Sequence, residues 1–516
     1  MAGAEALVFL LVAIALLAGA GVRFNVPYPI VLVVGGLLLG LVPGLPSPDL
    51  DPDIVFFAFL PPLLYAAAFQ ASAYELRANI VPISRLAVGL VLVTVVAVAA
   101  VAHWVADLPW AAAFVLGAVL GPTDPVAAAA IVRRLGAPAR IETILEGEAL
   151  VNDGTALTAY KIALAAVGAA ALGPFETVGK FVLVAAGGIA IGLAVGWVFA
   201  HLRIAAREPS IDVVLSVLTP FAAYVPAEKL HVSGVLAVVA AGVYVGTRSL
   251  ELSEAGGRLR TVAFWQASEF LLNSLLFLLV GLQVTRIVGD IEGAELGELA
   301  AQAALLAAVV MGVRLLWNWL VPEVTHIGFL PHDHTSVRER LVIGWSGMRG
   351  AVSLAAALAI PVAGFPDRDL VIFLAYGVVL ITLVLPGLTL APLIDALGLG
   401  QSAERRRQEV EARLRLTHAA LERLEDMAEH GETNGVVDHL RKRYEMRLDR
   451  LQDRLDVAGG HPDHGTDAAR TQVDVLEHER GVLREMRRER AFPAELLRSL
   501  EAEIDVDEAR VRSRGR

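Results

Sequence analysis

The residues best suited to chemistry in this sequence are polar and charged side chains that interrupt apolar segments. The first group lies at residues 121–125 (Gly-Pro-Thr-Asp-Pro), where two prolines and a glycine oppose a continuous helix. Asp124 followed by Pro125 has the pattern of a helix N-cap and a first helical residue. We therefore predict that one helix ends near Leu120 and that a second begins at Pro125. Carbonyl groups freed at such a break can coordinate a cation, while Asp124 offsets the positive end of the second helix.

The second group lies at residues 146–154 (Glu-Gly-Glu-Ala-Leu-Val-Asn-Asp-Gly). On a helix, Glu148 and Asn152 share one face, and Glu146 and Asp153 share a neighbouring face. Ionisable side chains are costly in a membrane, so this helix is predicted to face a bundle interior or a wet cavity. Asp153 is the predicted cation and proton site, because a carboxylate is a hard oxygen ligand that exists ionised or protonated. For Glu146 a second interpretation stays open, that of a solvated residue at the cytoplasmic end of the helix.

A third group lies at residues 344–352 (Gly-Trp-Ser-Gly-Met-Arg-Gly-Ala-Val), where three glycines surround one arginine. A buried arginine needs an acidic partner. We predict that Arg349 pairs with Glu148, which leaves Asp153 unpaired. Elsewhere, Asn273 is predicted to face the bundle, and Arg314 is predicted to be an anchor at the membrane interface together with neighbouring tryptophans.

The composition predicts the elements that position these residues. Of the 516 residues 56% are hydrophobic and 19% are charged, and residues 401–516 carry 49 of the 97 charged side chains. With about 20 mostly apolar residues needed for one crossing, we find about thirteen candidate membrane spans in the first part of the chain. The predicted fold class is an all-α polytopic membrane protein, with a transmembrane domain at residues 1–399. Residues 400–516 are predicted to be a helical cytoplasmic tail, for which regulation is one candidate role, with a last helix at residues 494–504.

The predicted spans have an orientation and an internal symmetry. The odd-numbered connections contain thirteen basic residues and the even-numbered ones four, so the odd connections and the tail are predicted to be cytoplasmic and the N-terminus external. When spans one to six are set against spans eight to thirteen, the broken fifth span matches the glycine-interrupted twelfth. Interrupted segments at corresponding positions of two inverted halves are a pointer to a transport site at the membrane midplane.

Several classes of function are excluded or disfavoured by the composition. The chain has no cysteine, which excludes disulfides, thiolate metal sites and thiol catalysis. A net charge of −11 without a basic stripe argues against a nucleic-acid partner. No Walker-type loop supports ATP-driven pumping, and no Ser-His-Asp pattern stands out. We expect a transporter without a cofactor and without enzymatic activity.

Four segments together carry a family resemblance, and they lie at residues 121–126, 148–154, 270–281 and 347–352. In this order they resemble the monovalent cation:proton antiporters of the sodium/proton exchanger family, and the similarity extends over residues 5–397. The resemblance implies a fold of thirteen spans in two inverted repeats with discontinuous helices. It also implies a homodimer, in which a core domain moves against a dimerisation domain to give alternating access.

The resemblance also implies roles for individual residues. Asp153 is expected to bind a monovalent cation and a proton in competition, Asn152 to support the site, and Thr123 to offer its carbonyl or hydroxyl oxygen. Asp124 is expected to compensate the dipoles of the two half-helices. In this family an adjacent Asn-Asp pair is associated with electroneutral, one-for-one exchange.

The resemblance implies two further roles, and the chain departs from the family pattern at two positions. Glu148 is expected to pair with Arg349, and Asn273 to support the site. Members often carry a Ser or Thr one turn before the key aspartate, where this chain has Ala149. Many also carry a glutamate in the third span, where this chain has Ala66 and two further alanines. The expected site is therefore poor in oxygen ligands.

We expect, from these observations, a secondary antiporter in the plasma membrane of a bacterium. It would exchange cytoplasmic Na⁺, with Li⁺ and K⁺ as alternative cations, for external H⁺. An alternative from another class is an ion- or pH-responsive membrane sensor or channel that signals through the tail. An ion-coupled symporter for organic anions is a weaker alternative, because no apolar pocket with donors for a large solute is predicted.

Overall fold

The structure is a computed structural model that describes part of the chain. The described residues are 2–24, 26–42, 51–167, 174–206, 208–248, 255–289, 296–324, 335–400, 403–429, 435–457, 479 and 481–482. These residues contain helices and connections but no strand. The chain divides into two compact units, Met1–Ser402 and Ala403–Arg516.

The first part of the first unit consists of α-helices and two π-helical turns. In chain order they are α1 Ala2–Phe24, α2 Tyr28–Gly40, α3 Pro52–Ile54, α4 Leu60–Gln70, α5 Ala73–Ala78, α6 Ile80–Ser84, α7 Val91–Val105, α8 Trp110–Val119, α9 Val126–Leu135 and α10 Ala139–Val167. The π-helical turns at Val55–Phe59 and Arg85–Leu90 join α3 to α4 and α6 to α7.

The rest of this unit consists mainly of long helices and includes two short helices that are separated by residues 346–350. The helices are α11 Pro174–Ala206, α12 Pro209–Lys229, α13 Gly234–Thr247, α14 Ala255–Leu282, α15 Val284–Gly289, α16 Leu296–Val324, α17 Val337–Trp345, α18 Ala351–Leu358 and α19 Arg368–Ala396. The second unit contains α20 Ala403–Glu429 and α21 Gly435–Val457, which pack against each other. The predicted helix at residues 494–504 lies outside the described residues.

Eight helical segments within the described residues are long and apolar enough to cross a membrane. They are Glu5–Phe24, Pro52–Gln70, Ile80–Val105, Val178–Ala205, Ser210–Lys229, Gly257–Gly289, Leu296–Val321 and Arg368–Ala396. Three shorter apolar helices accompany them, at Tyr28–Gly40, Trp110–Val119 and Gly234–Thr247. These helices identify a polytopic helical membrane protein, as predicted. The count of thirteen spans, the inverted repeat, the orientation and the homodimer stay predictions.

The helices of the first unit form two bundles. In the first bundle, α1, α2, α4 and α11–α14 pack on one another. In the second bundle, α7–α10 pack with α16–α19. Small residues allow close helix contacts within the first bundle: at Gly281 of α14, an added Cβ would lie 2.7 Å from the amide nitrogen of Leu37 in α2. A polar cavity lies between the two bundles.

Candidate functional site

The first helix break lies where the sequence predicts it. Helix α8 ends at Val119 and α9 begins at Val126, and the residues between them are not helical. Asp124 lies in this break, and its Oδ1 accepts a hydrogen bond from the amide of Val126 at 2.9 Å. The carboxylate therefore occupies the N-terminal end of α9, where backbone amides lack intrahelical acceptors and the helix dipole is positive.

The second helix break lies directly against the first. Helix α17 ends at Trp345 and α18 begins at Ala351. The amide of Asp124 donates a hydrogen bond to the carbonyl oxygen of Met348 at 2.9 Å. At Gly350 an added Cβ would lie 2.6 Å from the Cβ of Asp124, so this close approach requires glycine. The two interrupted helices thus cross at their breaks.

Helix α10 supports the first break through two buried side chains. The amide nitrogen of Asn152 donates to the carbonyl oxygen of Thr123 at 3.0 Å and also lies 2.7 Å from its hydroxyl oxygen. The Thr123 hydroxyl donates to Oε1 of Glu148 at 2.8 Å. Asn152 is fully buried and Glu148 is 1% exposed. Thr123, Glu148 and Asn152 therefore lie together, and the Asn152 side chain is hydrogen-bonded to the backbone of the break.

The predicted ion pair between Glu148 and Arg349 is wrong in this structure, because Glu148 pairs with Arg314 of α16 instead. Nη1 and Nη2 of Arg314 each donate to one carboxylate oxygen of Glu148, the second at 2.7 Å, and Nε donates to the carbonyl oxygen of Ile343 at 3.1 Å. This forked geometry is the strong form of an arginine–carboxylate pair. Arg314 is 1% exposed and is therefore not the interfacial anchor that the sequence predicted.

Arg349 lies close to this pair without joining it. The side chain is 1% exposed, and its Nε and Nη1 have no hydrogen-bond partner among the described residues. Arg314 and Glu148 are its electrostatic neighbours. The Glu148 carboxylate is already occupied by two donors from Arg314, so Arg349 adds a positive charge beside a pair that is neutral.

Asp153 differs from the other acidic residues around the breaks. It is partly exposed, and its carboxylate has no hydrogen-bond or ion-pair partner among the described residues. It borders a cavity of about 330 Å³ whose walls come from both bundles. Polar residues that line this cavity include Thr123, Asp124, Asp153, Asn273 and Ser353. Asp153 is therefore available to a small ligand in the cavity.

The cavity extends from Asp153 to a charged mouth. Arg133, Glu142 and Glu146 border it, and Arg133 forms an ion pair with Glu142 at 3.2 Å. The side chain of Arg133 is 55% exposed and that of Glu146 is 36% exposed, so this end reaches the surface. Glu146 is partly exposed there, and one of its carboxylate oxygens lies 4.0 Å from Nη2 of Arg133. This is the end of α10 for which the basic residues predict a cytoplasmic location.

On the opposite side of Asp153 the two bundles are in contact. At Gly154 an added Cβ would lie 2.8 Å from the side chain of Leu236 in α13. Further along α10, Nζ of Lys161 contacts Oε2 of Glu228 in α12 at 2.7 Å and Oε1 at 3.0 Å. Lys161 is eight residues beyond Asp153, or about 12 Å along the helix axis. These two contacts join the bundles beyond Asp153.

Both alanines that depart from the family pattern can be placed. Ala149 borders the cavity one helical turn before Asp153. Ala66 is fully buried and is not part of the cavity wall, which α4 forms instead with Ala67 and neighbouring residues. Neither alanine brings a side-chain oxygen to the site, so the walls next to Asp153 are poor in ligands.

The sequence assigned Arg314 the wrong position, at the membrane interface, and did not predict the ion pair of Lys161 with Glu228. Arg314 lies within Leu296–Val321, a segment apolar enough to cross a membrane. The cost of burying an ionisable side chain, which identified Asp124 and Asp153, applies equally to Arg314. That criterion was therefore sufficient to find Arg314 as a buried residue, although it does not identify its partner.

Comparisons with known proteins agree on one family. A family model described as sodium/hydrogen exchanger, transmembrane, matches residues 9–396. A Na⁺/H⁺ exchanger of Mycobacterium tuberculosis is 36% identical over 99% of this chain and 97% of the relative. A sodium, potassium, lithium and rubidium/H⁺ antiporter of Bacillus pumilus is 34% identical over 76% of this chain and 61% of the relative.

A solved structure shows the same fold. The sodium proton antiporter MjNhaP1 from Methanocaldococcus jannaschii aligns with a TM-score of 0.63, at 20% identity, over 78% of this chain and 100% of that one. The family match and the relative that spans nearly the full length lead to the same conclusion, which agrees with the motifs at the helix breaks. The chain belongs to the sodium/hydrogen exchanger family.

Proposed function

We propose that this protein is a secondary antiporter that exchanges a monovalent cation for protons, with both ligands competing for Asp153. The observation that carries the proposal is an unpartnered carboxylate in a cavity beside two crossed helix breaks. The other buried acidic groups there are occupied, since Glu148 pairs with Arg314 and Asp124 caps α9. Family membership and the names of the relatives support the same activity.

Asp153 is the ion-binding residue in this proposal, and the neighbouring residues position the site. The Asn152 side chain donates a hydrogen bond to the Thr123 carbonyl oxygen, and the Thr123 hydroxyl donates a hydrogen bond to Glu148. Oxygen atoms of Thr123 and Asn152 are the nearest candidates for further cation ligands, because half-helix ends and unwound backbone coordinate ions in transporters. Asp124 neutralises the positive end of α9, so a cation can approach the break.

The stoichiometry follows from one available carboxylate. Asp153 carries either one proton or one monovalent cation, so each cycle would exchange one charge for one charge. We therefore propose electroneutral exchange of cytoplasmic Na⁺, with Li⁺ and K⁺ as alternative cations, for external H⁺. The charged mouth at Arg133 and Glu146 would face the cytoplasm of a bacterium, with the N-terminus external and the protein a homodimer in the plasma membrane.

Alternating access would use the two bundles. In the present arrangement Asp153 is reached from the mouth, while Lys161–Glu228 and Gly154–Leu236 join the bundles on the other side. Movement of the α7–α10 and α16–α19 bundle against the other would close the mouth and separate these contacts. The crossed breaks would move as one body, because Asp124 and Met348 are hydrogen-bonded.

The test is cation-dependent dissipation of a preset pH gradient in everted membrane vesicles that contain the full-length protein. We expect Na⁺, Li⁺ or K⁺ to dissipate the gradient, and Asp153→Ala to abolish the response. Asp369→Ala is the matched control, because the side chain of Asp369 is 60% exposed and does not line the cavity. A wild-type protein that responds to none of the three cations would contradict the antiporter.

The sensor or channel that the sequence left open is less well supported. The relatives named above are exchangers and antiporters, and the family model covers the part of the chain that contains the cavity. Deletion of residues 403–516 tests the remaining difference. Retained exchange makes the tail a modulator, whereas a tail-dependent output without net transport would favour the sensor.

A further inference from the structure

We propose that Asn273 supplies the transported cation with an oxygen ligand from the wall opposite Asp153, and thereby sets the cation affinity of this chain. The inference rests on the proposed function and deepens it. Asn273 lies on α14, in the first bundle, whereas Asp153 lies on α10, in the second. Both side chains border the same cavity.

The Asn273 side chain is buried and, in the described part of the chain, lacks a partner for its amide nitrogen. It is 5% exposed, and its amide nitrogen has no hydrogen-bond partner among the described residues. A buried carboxamide without partners is unfavourable, because the group has lost its hydrogen bonds to water. No bond to its nitrogen fixes the carboxamide, so the group can rotate and turn its carbonyl oxygen toward a cation in the cavity.

The first bundle brings few polar side chains to the cavity, and Asn273 is the buried one among them. Hard cations are surrounded by several oxygen atoms, and asparagine carbonyl groups are among the oxygen ligands that proteins use. Next to Asp153 the wall of α10 presents Ala149, and the wall of α4 presents Ala67, Leu63 and Leu64. In the described part of the first bundle, the polar residues that border the cavity are Gln70, Glu269 and Asn273. Of these three side chains, that of Asn273 is buried, whereas that of Gln70 is exposed and that of Glu269 is partly exposed.

Glu269 borders the cavity on the same wall as Asn273. Glu269 precedes Asn273 by one helical turn on the same face of α14. Arg133 and Glu146 of the mouth are electrostatic neighbours of Glu269, so Glu269 lies at the mouth end of this wall. A cation that enters along this wall passes a carboxylate before it reaches the Asn273 carboxamide, and it meets Asp153 on the facing wall.

A ligand on each bundle has a mechanical consequence. A cation held by both Asp153 and Asn273 would pull the two walls together and favour the closure that precedes reorientation. A proton on Asp153 would need no such second ligand. Loss of Asn273 would therefore raise the apparent KM for the cation, and it would also slow the closure of the cation-loaded state.

The experiment compares Asn273→Ala with Ser274→Ala in the full-length protein, reconstituted in vesicles with a preset pH gradient. Ser274 is the matched control, because it is the next residue on α14, is fully buried with an unpartnered hydroxyl, and does not border the cavity. We expect Asn273→Ala to raise the apparent KM for Na⁺ roughly three- to tenfold, the size of one lost polar contact. Ser274→Ala should leave KM unchanged.

Restoring an oxygen on the facing wall separates a ligand role from a packing role. Ala149→Ser places a hydroxyl one turn before Asp153, and it should recover part of the affinity lost in Asn273→Ala. Asn273→Asp keeps the volume and the oxygen, so its KM should be equal to or below that of the wild type. An equal loss in Ser274→Ala, or no rescue by Ala149→Ser, would assign Asn273 to packing and overturn the inference.

A binding measurement keeps this inference distinct from the proposed exchange activity. Addition of Na⁺ should raise the thermal unfolding temperature of the purified wild-type protein, and Asn273→Ala should shift that response to higher Na⁺ concentration. If the wild type exchanges cations and Asn273→Ala has an unchanged KM and an unchanged thermal response, only the Asn273 inference fails. If the wild type binds Na⁺ without exchange, the proposed function fails instead.

Discussion

The amide of Asp124 donates a hydrogen bond to the carbonyl oxygen of Met348, and this bond joins the two helix breaks. Each break leaves backbone groups without intrahelical partners, which is costly inside a membrane. Here one such amide and one such carbonyl satisfy each other, while Asp124 also caps α9. The arrangement allows irregular backbone to exist beside a polar cavity.

The contact between Gly350 and Asp124 predicts a strong effect of a single methyl group. In Gly350→Ala the new Cβ would overlap the Asp124 side chain, with 2.6 Å to its Cβ and 2.7 Å to its Cγ. Both atoms belong to the crossed breaks, so relief of the overlap must separate them. We expect Gly350→Ala to lose most of its exchange activity in the vesicle assay. Gly312→Ala is the control, because an added Cβ there meets nothing within 4 Å.

The pairing of Glu148 predicts different consequences for the two buried arginines. Arg314→Ala removes both donors to the Glu148 carboxylate and leaves that charge buried without its partner. Breaking a buried pair in this way costs about 3–5 kcal/mol. We expect a large loss of yield and of thermal stability for Arg314→Ala, measured by fluorescence-detected size-exclusion chromatography. Arg349→Ala strands no acidic group and should lower the yield much less.

The double variant Glu148→Leu, Arg314→Met tests the same assignment from the other direction. Removal of both charges should recover part of the yield that Arg314→Ala loses, because no unpaired charge remains. If Arg349→Ala proves the more damaging of the two single variants, Glu148 is paired with Arg349 in the membrane.

Competition at Asp153 predicts the pH dependence of cation affinity. As pH falls, a larger share of Asp153 carries a proton, so more Na⁺ is needed to occupy the site. The apparent KM for Na⁺ should therefore rise on the acidic side, approaching about tenfold per pH unit for a single competing proton. On the alkaline side KM should become constant. A KM that does not vary with pH, in a protein that still exchanges, would separate the proton site from the cation site.

The ion pair between Lys161 and Glu228 predicts a conformational lock. The chain contains no cysteine, so cysteines at these two positions would be unique in the protein. In Lys161→Cys, Glu228→Cys a short bis-methanethiosulfonate, which forms a disulfide with each cysteine and releases two sulfinates, should join α10 to α12 and stop exchange. A reductant that cleaves the disulfides should restore it. The single variants treated in the same way are the controls. Undiminished exchange by the cross-linked protein would mean that this contact does not open during transport.

The sequence by itself determined the kind of protein and the position of its first break. An apolar segment long enough to cross a membrane can be recognised from consecutive residues alone. The helix break can be recognised in the same way, because it depends on the neighbouring residues Pro122, Asp124 and Pro125. The same local chemistry singled out Asp153, because a carboxylate in an apolar segment has few structural explanations. These inferences needed no knowledge of which helices meet.

The tertiary structure alone decided which charges pair and which stay available. Arg314 and Arg349 are both arginines within mostly apolar stretches of the sequence. The sequence therefore contains no information that selects one of them as the partner of Glu148. The choice depends on how α16 approaches α10, which brings both Nη atoms of Arg314 to the two oxygens of one carboxylate. The contact of Lys161 with Glu228 and the place of Asn273 opposite Asp153 likewise depend on packing between bundles, because residues far apart in sequence meet only after the chain has folded.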